Sequence, residues 1–152
     1  MPQTDAMDIR SFASPDAPGV VGLWRECDLT RPWNDPHKDI ERKVALGDDL
    51  FLVGVEDDGI VATVMAGYEG HRGWINYLAV ADRCRRRGYA RELMDEAERR
   101  LGARGCPKIN LQIRTTNRAA ISFYERLGYQ FDEVISMGKR LAHDESPSQT
   151  AS

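Results

Sequence analysis

Six residues, Arg85-Arg86-Arg87-Gly88-Tyr89-Ala90, have the make-up of an anion-binding turn. They follow an apolar run, Ile75 to Val80, and open an amphipathic stretch, so the order is strand, basic turn, helix. A helix N-terminus presents unpaired N–H groups and the positive end of its dipole, which suits a phosphate. Gly88 lets the main chain approach an anion and take dihedrals that a side chain forbids. The arginine side chains can add charge-assisted bonds, although any single one reads equally well as solvated surface charge. Further on, Asn117 can cap a helix, and Tyr124 lies seven residues later, nearly two turns, on the same side. A phenol, with an ordinary pKa of about 10, can serve as a general acid. The sequence shows no metal-ligand spacing, no Ser-His-Asp arrangement and no Gly-x-x-x-x-Gly-Lys phosphate loop.

These groups need a scaffold, and the patterning supplies one. Met7 to Phe12 alternates apolar and polar residues and reads as a first strand. Ser14-Pro15 signals a helix to about Asp28, and Asp35-Pro36 a second to about Leu46. Leu50 to Val55 and Ile60 to Tyr68 flank Asp57-Asp58-Gly59 as a hairpin, and Trp74 to Val80 is the next strand. Ala90, Leu93, Met94, Ala97 and Leu101 fall at helical spacing over residues 88–104, ended by Gly105 with Pro107 beyond. Ile109, Leu111 and Ile113 alternate as a strand, and Asn117 to Leu127 is a helix stopped by Gly128. Gln130 to Arg140 should add one or two closing strands. Residues 1–6 and 142–152 read as disordered tails around one domain, 7–141.

Composition narrows the function. The chain has 152 residues, 41% hydrophobic and 30% charged, a soluble globular balance. Its formal net charge of -3 argues against broad attraction to nucleic acid. No apolar run approaches the ~20 residues a membrane span needs. Met1 to Ala6 lacks the basic and apolar regions of a signal peptide, so a cytoplasmic protein is expected. Cys27, Cys84 and Cys106 form no paired motif and read as free thiols. Arginines near Cys84 favour a thiolate, but an inert turn cysteine is the simpler reading.

The basic turn, of the form Arg-x-x-Gly-x-Ala, resembles the pyrophosphate signature of the GCN5-related N-acetyltransferases, the GNAT family. Asn117-Arg118-Ala119-Ala120-Ile121-Ser122-Phe123-Tyr124-Glu125-Arg126-Leu127-Gly128-Tyr129 resembles its second signature, in the family's order and spacing. Arg31-Pro32-Trp33-Asn34-Asp35 and Gly70-His71-Arg72-Gly73 are similar to spellings in the bacterial YpeA-type subgroup. The resemblance implies a single-domain α/β acyl-CoA N-acyltransferase fold, a mixed, mostly antiparallel sheet flanked by helices. It implies acetyl-CoA as cosubstrate, CoA as product and no metal.

Backbone groups of Leu78, Ala79 and Val80 would then hold the pantetheine and acetyl oxygen. The turn Arg86, Arg87, Gly88, Tyr89, Ala90 and Arg91 would hold the pyrophosphate, with Asn117 a further CoA contact and Tyr124 the general acid. Arg31, Trp33 and Asn34 would border the acceptor groove, Trp33 either stacking on the acceptor or plugging helix packing. Some relatives carry a glutamate five residues before the asparagine; here that position is Gln112, which cannot accept a proton. The base then falls to loop groups, Glu69, His71 or Asp35, or to water. Expected activity is direct N-acetylation of a primary amine on a small molecule or protein. A CoA-sensing module with little catalysis is the alternative, and a homodimer is left open.

Overall fold

The strands that meet at the centre carry the densest apolar runs, and they build the sheet in chain order. The computed structural model describes residues 6–144. β1 (Asp8–Ser11), β2 (Phe51–Glu56), β3 (Gly59–Tyr68), β4 (Gly73–Val80) and β5 (Ile109–Leu111) form one sheet in the order β1-β2-β3-β4-β5. The first four are antiparallel neighbours, while β4 and β5 run parallel. The sheet is thus mixed and mostly antiparallel.

Four α-helices flank it: α1 (Ala17–Glu26), α2 (Pro36–Leu46), α3 (Tyr89–Ala103) and α4 (Arg118–Arg126). On β2, Phe51 stacks on Trp24 of α1, whereas Glu56 bonds Tyr89 of α3. These two strand positions differ in parity, so α1 and α3 cover opposite faces. Leu93, Met94, Ala97 and Leu101 of α3 are fully buried, as are Trp24, Leu50, Leu52 and Val64. Full burial of such a side chain stabilises by about 1.5–3 kcal/mol.

The caps fall where residue chemistry puts them. Asp35 accepts from the His37 amide at 2.9 Å and from the Lys38 amide at 3.4 Å, Pro36 opens α2, and Gly47 closes it at φ 62°. Asn117 accepts from the Ala120 amide at 3.2 Å, and Gly128 ends the segment at φ 96°.

Two expectations change. Ser14-Pro15 does not start the long helix directly. A 3₁₀ turn spans Ser14–Asp16, and Asp16, not Ser14, caps it by accepting from the Ala13 amide at 2.8 Å. Pro18 lacks the N–H that would continue that turn's pattern, so the α-helix begins at Ala17.

The closing strands are absent among the described residues. After α4 the chain is irregular to Asp144, and Phe131, Val134, Ile135, Met137 and Leu141 are all exposed. Phe131, Ile135, Met137 and Leu141 fall at even spacing, but Glu133 and Lys139 share their side, and the segment pairs with no strand. Side chains tether the segment instead: Lys108 and Asn110 donate to Asp132 at 2.9 and 3.1 Å, and Arg42 to Asp144 at 2.7 Å. Asp144 is buried; of the expected tails, 1–6 and 142–152, residues 1–5 and 145–152 lie outside the described residues.

Candidate active site

The site follows from a failure of pairing. β4 and β5 pair only over Gly73–Ile75 against Ile109–Leu111. Beyond Ile75 the two parallel strands part, and a cavity of about 930 Å³ opens between their carboxyl ends. On the other edge of β4, Ala62 and Thr63 pair with Val80 and Ala79, and the register then jumps to Met65 and Asn76. Tyr77 and Leu78 are left without cross-strand partners and line the cavity. Tyr77 sits at φ 54°, a left-handed conformation that is a genuine outlier for a bulky residue. Such strain costs on the order of 1–3 kcal/mol and concentrates at functional sites. Ala79 is buried and Val80 is back on the ladder, so of the three expected backbone contacts only Leu78 lines the opening.

The basic turn follows β4. Arg86 lies at φ 70° and Gly88 at φ 80°, and α3 begins at Tyr89 without a side-chain cap. A Cβ on Gly88 would meet nothing within 4 Å, so the space above it is open. A helix start in general presents amides that lack intrahelical acceptors, and α3 starts beside that space. This cradle fits a pyrophosphate group.

The supporting carboxylate comes from the β2–β3 hairpin. Glu56 accepts from the Tyr89 hydroxyl at 2.5 Å, from Arg87 at 3.1 Å and from Arg83 at 3.5 Å. The Tyr89 hydroxyl first, then the two guanidiniums, hold its carboxyl below the usual range. Tyr89 is a buried brace, and Arg87 is engaged below the turn. Arg86 and Arg91 are exposed, and Ala90 is half-buried. Cys84 is fully buried beside this cluster, and burial pushes its thiol up, against the pull of its arginine neighbours. It is a protonated packing residue, not a thiolate.

Tyr124 projects from α4 into the same cavity, with Asn117 at the helix start. It is 9% exposed, packed edge-on to Phe123 and Tyr129, and burial pushes its phenol up to about 12. The proton is therefore held firmly at neutral pH, more tightly than on a free phenol, whose pKa is about 10.

Arg31, Trp33 and Asn34 line the opposite wall. Arg31 donates to the Asp28 and Thr30 carbonyls at 2.8 Å, and Trp33 is 43% exposed rather than plugging a helix contact. Gln112 also lines the cavity, its amide bonded to Ser136.

The loop groups expected as bases are elsewhere. Glu69 and His71 sit in the exposed β3–β4 turn, at the amino end of β4, and neither lines the cavity. Glu69 accepts from the Arg72 and His71 amides at 2.5 and 2.7 Å, bonds that lower its pKa and fit a turn brace. Asp35 is spent on capping α2. Sequence reading missed Glu56, Asp39, Arg42 and Tyr77, because each owes its place to partners distant in the chain. Tyr77 alone left a trace, adjacent to the residues whose backbone was singled out.

The splayed parallel pair and the buried Tyr124 line one cavity, and the glycine turn lies further along the chain after β4. Residues 19–129 match the Acetyltransferase (GNAT) family. The chain belongs to that family.

Solved structures agree on the fold. AAC(6')-Iy, in complex with a bisubstrate analogue, superposes with a TM-score of 0.71 at 20% identity, covering 89% of this chain and 99% of that one. Glucosamine-6-phosphate N-acetyltransferase from Arabidopsis thaliana gives 0.68 at 23% identity, over 90% and 99%. A protein described as a transcriptional regulator from Bacillus halodurans C-125 gives 0.70 at 21%, over 88% and 100%. At such identity the likeness shows the acyl-CoA N-acyltransferase fold alone. Among the described residues, no helix is long and apolar enough to cross a membrane, and no cluster could hold a metal ion.

Proposed function

We propose that this GNAT protein is an acetyl-CoA-dependent N-acetyltransferase that passes the acetyl group directly to a primary amine. The observation that carries the reading is the splay of β4 from β5 beside Tyr124, with the open Gly88 turn following β4 after a 3₁₀ turn at Asp82–Cys84. When bound, acetyl-CoA supplies a thioester carbonyl open to attack by an amine. The α3 amides and Gly88 anchor the pyrophosphate. Leu78 offers the acyl group main-chain polar atoms that the sheet leaves unpaired, as an oxyanion donor requires. Asn117 borders the pantetheine path. Tyr124 donates a hydrogen bond to the sulfur as charge develops there, and its raised pKa favours donation over full proton release. Arg31, Trp33 and Asn34 contact the acceptor, with Trp33 free to stack on it.

Gln112 favours a small-molecule acceptor over a protein terminus. Glucosamine-6-phosphate is a rational first candidate because a structural neighbour is named for it. The spellings at Arg31–Asp35 and Gly70–Gly73 support a grouping with the YpeA type.

Binding is tested by melting the protein with CoA, ATP and NAD. CoA at 100 Kd should stabilise by about 2.7 kcal/mol, a rise of roughly 5–10 °C. An unchanged Tm at millimolar CoA rules the reading out. A free-thiol assay across an amine panel then identifies the acceptor, and CoA binding without turnover would favour a sensing module.

A further inference from the structure

Acetylation of an ammonium group requires a proton acceptor on the acceptor side of the opening. Two carboxylates line the cavity, Asp28 and Asp39. Asp28 is 94% exposed and ion-paired to Arg31 at 3.6 Å, whereas Asp39 on α2 is 23% exposed and turned toward β4. We infer that Asp39 takes the proton of the incoming amine and that Tyr77 is the positioning residue that aims it. The inference rests on the acetyltransferase reading.

The geometry is specific. The Tyr77 hydroxyl donates to Asp39 Oδ2 at 2.6 Å, and Arg42 donates to Oδ1 at 3.2 Å. Each carboxylate oxygen keeps a further lone pair for an amine N–H. Trp24 and Thr63 hold Tyr77 and brace each other. The Tyr77 ring stacks on Trp24 at 3.7 Å, its carbonyl accepts from the Thr63 hydroxyl at 2.8 Å, and Thr63 accepts from the Trp24 indole at 2.9 Å. That grip maintains φ 54° at the point where β4 splays, so the strained residue also carries the phenol that fixes Asp39. Burial, then the bond to Asp39, pushes the Tyr77 phenol up, so it remains a donor at working pH.

Arg42 is shared with Asp144, whose side chain is 2% exposed, so its charge is largely spent and does not neutralise Asp39 alone. Lys43 is tied to Asp48 at 2.7 Å and to the Ala66 carbonyl. Arg31 and Arg114 complete the charged lining.

The proton count closes. The ammonium gives one proton to Asp39, which passes it to water through the open mouth. The freed lone pair forms the N–C bond, the C–S bond breaks, and the second amine proton balances the one the thiolate takes up.

Two readouts test this. In calorimetry on the CoA-bound protein, phenethylamine should bind more tightly than its neutral analogue phenethyl alcohol, and Asp39→Asn should erase the preference. In initial rates with acetyl-CoA and phenethylamine, Asp39→Asn should lose about 10²-fold near neutrality. It should approach wild type above about pH 10, where the amine deprotonates itself. Asp39→Glu should recover part of the loss. Tyr77→Phe should show a smaller loss with the same pH dependence, while CoA affinity stays within about twofold in every variant.

An Asp39→Asn profile parallel to wild type, or an unaltered amine preference, overturns the assignment. Wild type that binds CoA but neither binds nor acetylates phenethylamine overturns it too. Wild type that fails to bind CoA sinks the acetyltransferase reading beneath it.

Discussion

At the scale of single residues, burial decides what the reactive groups can do. Tyr124 is a phenol in any environment, but its apolar surroundings raise its pKa to about 12. Tyr124→Phe should therefore lower kcat toward the small end of the 10²–10⁴ range for a general acid. CoA affinity should be nearly unchanged, because the hydroxyl is needed when the thiolate departs. Single-turnover rates check this, and a loss confined to KM reassigns Tyr124 to binding. Gly88 has room for a Cβ but sits at φ 80°, so Gly88→Val costs strain and fills the space a phosphate needs. CoA affinity should collapse in a protein that still folds, and calorimetry showing wild-type affinity removes the turn from the site.

At the scale of elements, the helix starts matter most. α3 begins over Glu56, which ties Arg83, Arg87 and Tyr89 to the β2–β3 hairpin. Glu56→Gln leaves two guanidiniums without their carboxylate and should lower both Tm and CoA affinity. Normal CoA binding in that variant would show that the turn holds its shape unaided. α4 depends on its Asn117 cap, and Asn117→Ala should cost about 1 kcal/mol, a Tm loss of roughly 2–4 °C. A larger fall in CoA affinity than in stability would reveal the direct ligand contact.

At the scale of the whole molecule, Asp16, Glu56 and Asp144 join separate segments, while Glu96 braces α3 internally through Arg99 and Arg100. Asp16, Glu56, Glu96 and Asp144 all have lowered pKa values, Glu96 and Asp144 down to about 2. Folding favours their charged forms, so their contribution is complete above the unfolded values near 4. It is lost as pH falls from there toward 2. Melting temperature should hold between about pH 5 and 7 and fall steeply below about 4. Asp144→Asn should shallow that fall and release the 130–144 segment from α2, visible as faster amide exchange there. A Tm independent of pH down to 3 contradicts the ion-pair account.

The strands β2 to β4, the caps at Asp35 and Asn117 and the apolar stripe of α3 were legible because each rests on residues adjacent or a helical turn apart. The positive-φ turn at Gly88 and the place of Tyr124 on α4 are legible as local structure for the same reason, while their roles belong to the proposed function. The closing strands do not form although Phe131, Ile135, Met137 and Leu141 fall at strand spacing, because pairing depends on a neighbouring strand that spacing alone does not supply. Glu69 and His71 stand close to β4 in the chain, yet the strand carries the site about 3.3 Å further away with every residue. Asp39 and Tyr77 are 38 residues apart and meet only because β4 bulges opposite α2. Most elements and the glycine turn can be read from the chain alone, since backbone sterics, capping and hydrophobic periodicity act locally. Where β4 and β5 part, which carboxylates line the cavity and how burial sets its tyrosines depend instead on contacts between residues distant along the chain.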